Sequence, residues 1–294
     1  MSYTKSICAA LLALSLVPEA VAEPVFFDSF ESGDMSATNE DGFTWGGNNA
    51  TSVVTPDQVV YNNGEKNVPI PSGRDWDVKE GAGDHHLRFR FGPGRFMSEQ
   101  RFKLGRHYQD IWIAYWIRVP INFKHGDANN KFLSVWPKSY DRPGTVTWQT
   151  RPNENGGAQL VYQDGGVTSG ETGWSPFISY PDDQGRWMHV VARVKSASGP
   201  DSNDGIIQFF RRWEGETDYT KIHEKTNADT WDDSSSEQGI SQGYIMGWAN
   251  DPYDQNTEWF VDEFSIYTSN PIEEFISNNS DENRPNPPTL ELIR

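Results

Sequence analysis

Gly185-Arg-Trp-Met-His-Val-Val-Ala-Arg-Val-Lys195, followed after a polar turn by Ile206-Ile-Gln-Phe-Phe-Arg-Arg-Trp213, is a pair of alternating apolar and polar runs. Period-two alternation rich in Val, Ile, Phe and Trp is the pattern of a half-buried strand, not of a helix. It also assigns faces, because successive side chains on a strand point to opposite sides. Met188, Val190, Ala192 and Val194 form the inward row of the first run, and Trp187, His189, Val191, Arg193 and Lys195 share the other face. In the second run Ile207, Phe209 and Trp213 read as inward, and Gln208, Phe210 and Arg212 as outward.

The same rhythm continues on both sides of this hairpin. His86–Phe91, Thr145–Arg151 and Ala158–Gln163 alternate, with Thr147, Gln149 and Arg151 together on one face, opposite Val146 and Trp148. Ile111–Val119 and Trp259–Tyr267 are more continuously apolar, as strands covered on both sides are. Gly92-Pro-Gly94, Arg142-Pro-Gly144, Asn155-Gly-Gly157 and Asp164-Gly-Gly166 supply turns between them. No internal repeat and no long helical period interrupts the series. The expected fold is all-β, two antiparallel sheets stacked as a β-sandwich of jelly-roll type.

Composition agrees. Hydrophobic residues make up only 35% of the 294, but aromatics reach 13%, with 12 Trp, 11 Tyr and 16 Phe to fill a core. The 26 Gly and 18 Pro argue against a helical bundle or a doubly wound α/β enzyme. With 25 basic against 42 acidic residues the net charge is −17 and the isoelectric point about 4.7. That excludes a global attraction to nucleic acid or to anionic membranes, so a polyanionic ligand needs a local basic cleft.

The ends read differently from the middle. Residues 1–22 carry Lys5, an apolar run from Ile7 to Val17 and Ala20-Val-Ala22, the pattern of a secretory signal peptide with an A-x-A cleavage site. The run is too short to anchor the chain across a bilayer. Cys8, the only cysteine, lies within it, so thiol catalysis, disulfides and Cys-ligated metals are excluded from the mature chain. The expected organisation is a signal peptide at 1–22, one domain at 23–275, and a Pro-rich tail at 276–294, in a secreted or periplasmic monomer.

Several segments resemble one family. Phe27-Asp-Ser-Phe-Glu-Ser-Gly33 resembles the first strand of secreted concanavalin A-like jelly rolls (the lectin/glucanase fold). Tyr115-Trp-Ile-Arg-Val-Pro-Ile-Asn-Phe-Lys124, followed by Asn130-Lys-Phe-Leu133, resembles a segment of polysaccharide lyases built on that fold. Thr145–Arg151 sits where those enzymes carry an arginine-bearing strand. Gly185–Lys195 with Asn203-Asp-Gly-Ile-Ile207 is similar to their central signature, and Gly243–Asn250 with Trp259–Phe264 to their closing pair of strands. The likeness spans about Phe26 to Tyr267 and is nearest to glucuronan- and alginate-type lyases. The family's triplets Arg-x-Glu-Leu-Arg and Gln-Ile-His are absent. His86-Leu-Arg-Phe-Arg90 echoes the first, and Gln149-Thr-Arg151 occupies a place like the second without its His.

The residues also bear on the reaction. Retaining glycosidases need two carboxylates about 5–5.5 Å apart. Glu214-Gly-Glu-Thr-Asp218 and Glu258–Glu263 lack the spacing that this fold uses for them. β-Elimination from a uronate instead needs the substrate carboxylate neutralised, a base for the C5 proton and an acid for the leaving oxygen. Arg151 and Gln149 are expected to hold the carboxylate. His189, with an ordinary pKa of about 6.5, is expected as base and Tyr162 as proton donor. Arg88, Arg90, Lys131 and Arg193 are candidate substrate-binding cations, as is Arg212, with Trp136 and Trp248 as sugar-stacking rings.

The chemistry requires no cofactor. What the resemblance implies about metal is a structural calcium between the first and last strands, with Asp28, Glu31 and Asp262 as ligands. Asp201-Ser-Asn-Asp-Gly205 reads as an Asx-rich turn. The reading reached from sequence is a secreted lyase acting on an acidic, uronate-containing polysaccharide, without nucleic-acid or membrane partners. The alternatives are a non-catalytic carbohydrate-binding module (lectin or laminin-G-like) of the same fold and, behind it, a glycoside hydrolase.

Overall fold

A computed structural model of the chain describes residues 22–55, 60–62, 67–69, 83, 85–140, 143–166, 169–200, 202–233 and 236–279. The expected signal peptide up to residue 21, the tail beyond residue 279, Arg142 and Asp201 lie outside the described residues.

Strands are numbered in chain order. One sheet runs β15 (Thr220–Ala228), β14 (Gly205–Trp213), β13 (Trp187–Lys195), β8 (Asp110–Arg118), β17 (Thr257–Tyr267), β6 (His86–Phe91) and β3 (Thr51–Val54). β1 (Phe26–Asp28) pairs with the C-terminal part of β17 in the same sheet. The second sheet runs β12 (Thr172–Ile178), β11 (Ala158–Gln163), β10 (Val146–Pro152), β9 (Asn130–Trp136), β16 (Ile240–Trp248), β7 (Met97–Tyr108) and β2 (Thr44–Asn49). A small hairpin, β4 (Val60–Asn62) with β5 (Asn67–Pro69), belongs to neither. Each pairing is antiparallel. This is the all-β jelly-roll sandwich expected from the alternation. The two runs likened to a closing pair fall in different sheets, β16 in the second and β17 in the first.

The core lies between the sheets and is built from the rows that alternation marks as inward. Met188, Val190, Ala192 and Val194 of β13 and Ile207 and Phe209 of β14 face Val146 and Trp148 of β10 and Leu160 of β11. Phe209 meets Trp148 at 5.5 Å and Phe177 at 5.9 Å between ring centroids. A second aromatic knot joins Phe26, Phe43, Trp45, Phe102 and Phe264. Rings that each bury a large apolar area take the place of the scarce aliphatics.

The outer faces of the two sheets differ. That of the first carries two apolar patches among polar side chains. Trp116, Trp187 and Phe260 form one patch, and Trp112, Ala114, Val191 and Tyr267 another. Helix α1 (Ile272–Asn279) lies over the second patch through Ile272 and Phe275. Its start is capped by Asn270, whose side-chain oxygen accepts the Ile272 N–H at 3.1 Å, and Glu273 and Glu274 occupy the first turn, where negative charge is favoured. This cover explains why β8 and β17 carry apolar residues on both faces. The helix runs past the domain limit expected at residue 275. The outer face of the second sheet is polar.

Candidate functional site

β10 places Thr147, Gln149 and Arg151 on the outer face of the second sheet, because Val146 and Trp148 are held in the core on the other side. The antiparallel register sets Gln149 opposite Lys131 on β9 and Arg151 opposite Gln159 on β11. A bulge on β9 between the partners of Trp148 and Gln149 takes up Phe132 and keeps Lys131 aligned with Gln149. On β16, Tyr244 lies opposite Ser134 of β9 and Arg101 of β7.

These side chains form a polar layer, buried at Gln149, Thr147 and Ser134 and open to solvent at Arg101, with specific partners. Arg151 grips Glu171 in a two-pronged ion pair, with Nε and Nη2 each 2.7 Å from a carboxylate oxygen. Gln149 donates to Gln163 and accepts from Asn129. The Ser134 and Thr147 hydroxyls are 2.7 Å apart. Arg101 bonds Glu99 at 2.6 Å. Tyr244 donates its hydroxyl proton to the Tyr140 oxygen at 2.9 Å, and Trp136 packs against both rings at 5.4 and 5.6 Å. Gly247, at φ +135°, is where these groups converge. A methyl group there would meet Lys131 Cβ at 3.1 Å, a Tyr244 ring carbon at 3.2 Å and a Glu99 carboxylate oxygen at 3.4 Å.

The electrostatics single out Lys131. Burial pushes its ammonium pKa down to about 8, with Glu171 opposing and Arg151 adding to the shift. Tyr140 and Tyr244 move the other way. Burial raises both, and neighbouring Glu99 adds to it, so each keeps its proton through neutral pH. A lysine with a lowered pKa and the ring of Tyr244, which keeps its proton, thus meet at one glycine.

Of the residues expected from sequence, Arg151, Gln149, Lys131 and Trp136 come together here. Trp136 is buried at 3% exposure, so it props the tyrosines and offers no face to a sugar. Tyr162 belongs to the core side of β11, packed on His223 at 5.0 Å, with its hydroxyl raised in pKa by burial. It cannot act with Gln149, which projects from the opposite face. His189 is outward as expected, but from the first sheet, on the far side of the sandwich. There it bonds the Tyr219 hydroxyl and packs against Trp116 at 4.9 Å and Phe275 at 4.8 Å.

Four expected substrate-binding arginines also stand on the first sheet's side. Arg88 bonds Ser52 at 3.1 Å, and Arg90 bonds Asn256 at 2.9 Å. Arg193 clasps Asp110 at 2.7 and 3.0 Å over the Trp112 ring. Arg212 bonds the Glu216 carbonyl and lies 5.0 Å over the Trp116 ring. All four have structural partners, and Arg90 alone among them keeps more than half of its side chain in solvent. Trp248 ends β16 and is exposed.

The proposed calcium ligands are dispersed among other partners. Asp28 accepts from the Phe30 N–H at 2.8 Å and the Trp45 indole at 2.7 Å. Glu31 accepts from the His85 backbone at 3.0 Å, and Asp262 faces His86 at 3.3 Å. Among the described residues no three His, Cys, Asp or Glu side chains gather as a metal-binding group. Glu99, Tyr140, Glu171 and Tyr244 are site residues that the sequence reading passed over. Only Tyr244 carried a signal, lying one residue into the Gly243–Asn250 motif.

No protein-family model matches the chain. No curated protein matches it in sequence. Among solved structures it is similar to the binding domain of botulinum neurotoxin DC in complex with SialylT, at 10% identity and TM-score 0.47. That match covers 87% of this chain and 51% of the other. It is also similar to the binding domain of Paraclostridial Mosquitocidal Protein 1, at 13% identity and TM-score 0.47, over 87% of this chain and 51% of that one. A third likeness is to alginate lyase vAL-1 from Chlorella virus, at 11% identity and TM-score 0.42, over 78% of this chain and 95% of that one. The chain thus spans about half the length of the toxin domains. All three likenesses are distant, and what those proteins bind or cleave is theirs.

Proposed function

We propose that the outer face of the second sheet binds an acidic, uronate-containing polysaccharide and cleaves it by β-elimination. The observation that carries this reading is Lys131, a lysine with its pKa brought down to about 8, set opposite Gln149 and beside a protonated tyrosine pair. Arg151, positioned by Glu171, meets the substrate carboxylate and stabilises the charge that develops on it, while Gln149, buried at 1% exposure and bonded to Gln163 and Asn129, fixes the layer beneath it. The neutral Lys131 amine takes the C5 proton. The C4–O bond then breaks as a C4–C5 double bond forms, and Tyr140 gives a proton to the leaving oxygen, resupplied by Tyr244. This assignment replaces His189 and Tyr162 as base and acid. Export of the chain, expected from Ala20-Val-Ala22, is consistent with a polymeric extracellular substrate and is part of the same proposal.

The test is ultraviolet absorbance of the unsaturated product against a panel of glucuronate, mannuronate and guluronate polymers. Appearance of product with the native chain, abolished in Lys131→Met, supports the reading. Cleavage that survives Lys131→Met overturns it. A second reading, a non-catalytic binding module, is favoured by one observation: the Arg151 guanidinium is already held by Glu171. It wins if uronate polymers bind the face and no product ever forms.

A further inference from the structure

Where β6 turns into β7, Phe96 and Trp248 stand out of the surface side by side. Each is 45% exposed, and their rings lie 5.3 Å apart with 14° between planes. Scattered exposed apolar residues are ordinary, but two large rings stacked in the open are a recognition feature. They line a depression of about 540 Å³ together with Asn49, Arg90, Arg95 and Met97. Arg95 makes no ion pair with any described residue. Arg90 keeps more than half of its side chain in solvent beside its bond to Asn256.

The depression neighbours the candidate site along β16 and β7. Trp248 follows Gly247, whose backbone abuts Lys131, and lies opposite Met97, two residues before Glu99 on β7. From Trp248 on β16 through Lys131 on β9 to Arg151 on β10 the row crosses two strand spacings, ~10 Å. A polymer laid across the strands therefore meets the reacting centre and the stack with different sugar units.

We propose that the Phe96–Trp248 stack with Arg95 is a distal subsite that holds a further uronate unit of the chain being cleaved at Lys131. The exposed indole takes the flat C–H face of a pyranose ring, and Arg95 pairs with its carboxylate. The inference rests on the proposed function and adds where the rest of the polymer goes. Its consequence is length dependence: a disaccharide fills the centre alone, whereas a longer oligomer reaches the stack.

The experiment is calorimetric titration of the full chain with glucuronate and alginate oligomers from dimer to hexamer, comparing native protein with Trp248→Ala, Phe96→Ala and Arg95→Gln. All three residues lie at the surface, and a thermal melt checks that each variant folds. Trp248→Ala is expected to weaken hexamer binding on the order of tenfold and leave dimer binding unchanged. Arg95→Gln is expected to reduce the preference for uronate over neutral hexamer. Native-like hexamer affinity in Trp248→Ala, or equal losses at every length, overturns the subsite while leaving the proposed function intact. Failure of the native chain to bind any uronate oligomer overturns both.

Discussion

Lys131 sets the pH behaviour of the site. Its deprotonated amine is the working form and its pKa sits at about 8, so turnover should climb as pH rises towards 8 and level off above it. A pH–rate profile that falls through this range contradicts the role. Lys131→Arg keeps a positive charge at every accessible pH and should lose on the order of a hundredfold in turnover. His189→Ala should leave turnover unchanged and lower the melting temperature, since it removes a packed ring on the opposite sheet. Alternation showed that Gln149, Arg151 and His189 face outward. It does not say which of a sandwich's two outer faces a residue occupies, because that depends on strand order across the whole chain. Tyr162 is a different kind of miss. In Ala158–Gln163 the same alternation aligns Tyr162 with Leu160, on the core side, where its hydroxyl cannot reach a ligand on the outer face.

β10 and β16 carry the site, and each does so through a local feature of its backbone. On β10 the inward Trp148, fully buried, fixes which side Gln149 and Arg151 take. Trp148→Ala should cost about 3–5 kcal/mol in denaturant unfolding. On β16, Met246 at φ +59° and Gly247 at φ +135° break the regular strand. Gly247→Ala combines a strained backbone with a methyl group pressed against Lys131 and Tyr244. It should reduce turnover at least tenfold while the chain stays folded by circular dichroism. β8, β13 and β17 were legible from apolar content alone. β7 and β15 were not: Met97–Tyr108 and Thr220–Ala228 are mostly polar on their outward side, so their inward residues are spaced among charges that read as loop. Tyr140 and Glu171 lie in connections, where sequence carries no period to place them.

Two expectations belong to the whole molecule. Net charge is −17, yet a uronate polymer would meet Lys131, largely protonated near neutral pH, and Arg95, which makes no ion pair among the described residues, so its binding should weaken as salt is raised. An affinity independent of ionic strength would contradict a charge-based site. Acid should destabilise the fold through His125 and His223, whose pKa values burial pulls down. Both are held neutral in the folded chain, so their contribution is complete above the unfolded value of about 6.5. It is lost as pH falls below that, when the unfolded chain takes up protons that the folded one refuses. Urea titrations at stepped pH should show the decline, and His223→Gln should make it shallower.

β17 has a consequence of another kind, for the order of events during folding. It is central to the first sheet, hydrogen-bonded to β8 on one side and to β6 and β1 on the other, with Phe26 opposite Ile266. The first strand among the described residues thus waits for the last. Until residues 257–267 are available, β8 has no neighbour on that flank and its apolar rows stay bare. Contacts so distant in sequence make folding slow, in the range of milliseconds to seconds or longer, and leave the incomplete chain prone to sticking to others. A chain truncated before β17 should therefore aggregate where the full chain folds, which light scattering of the two during refolding would show.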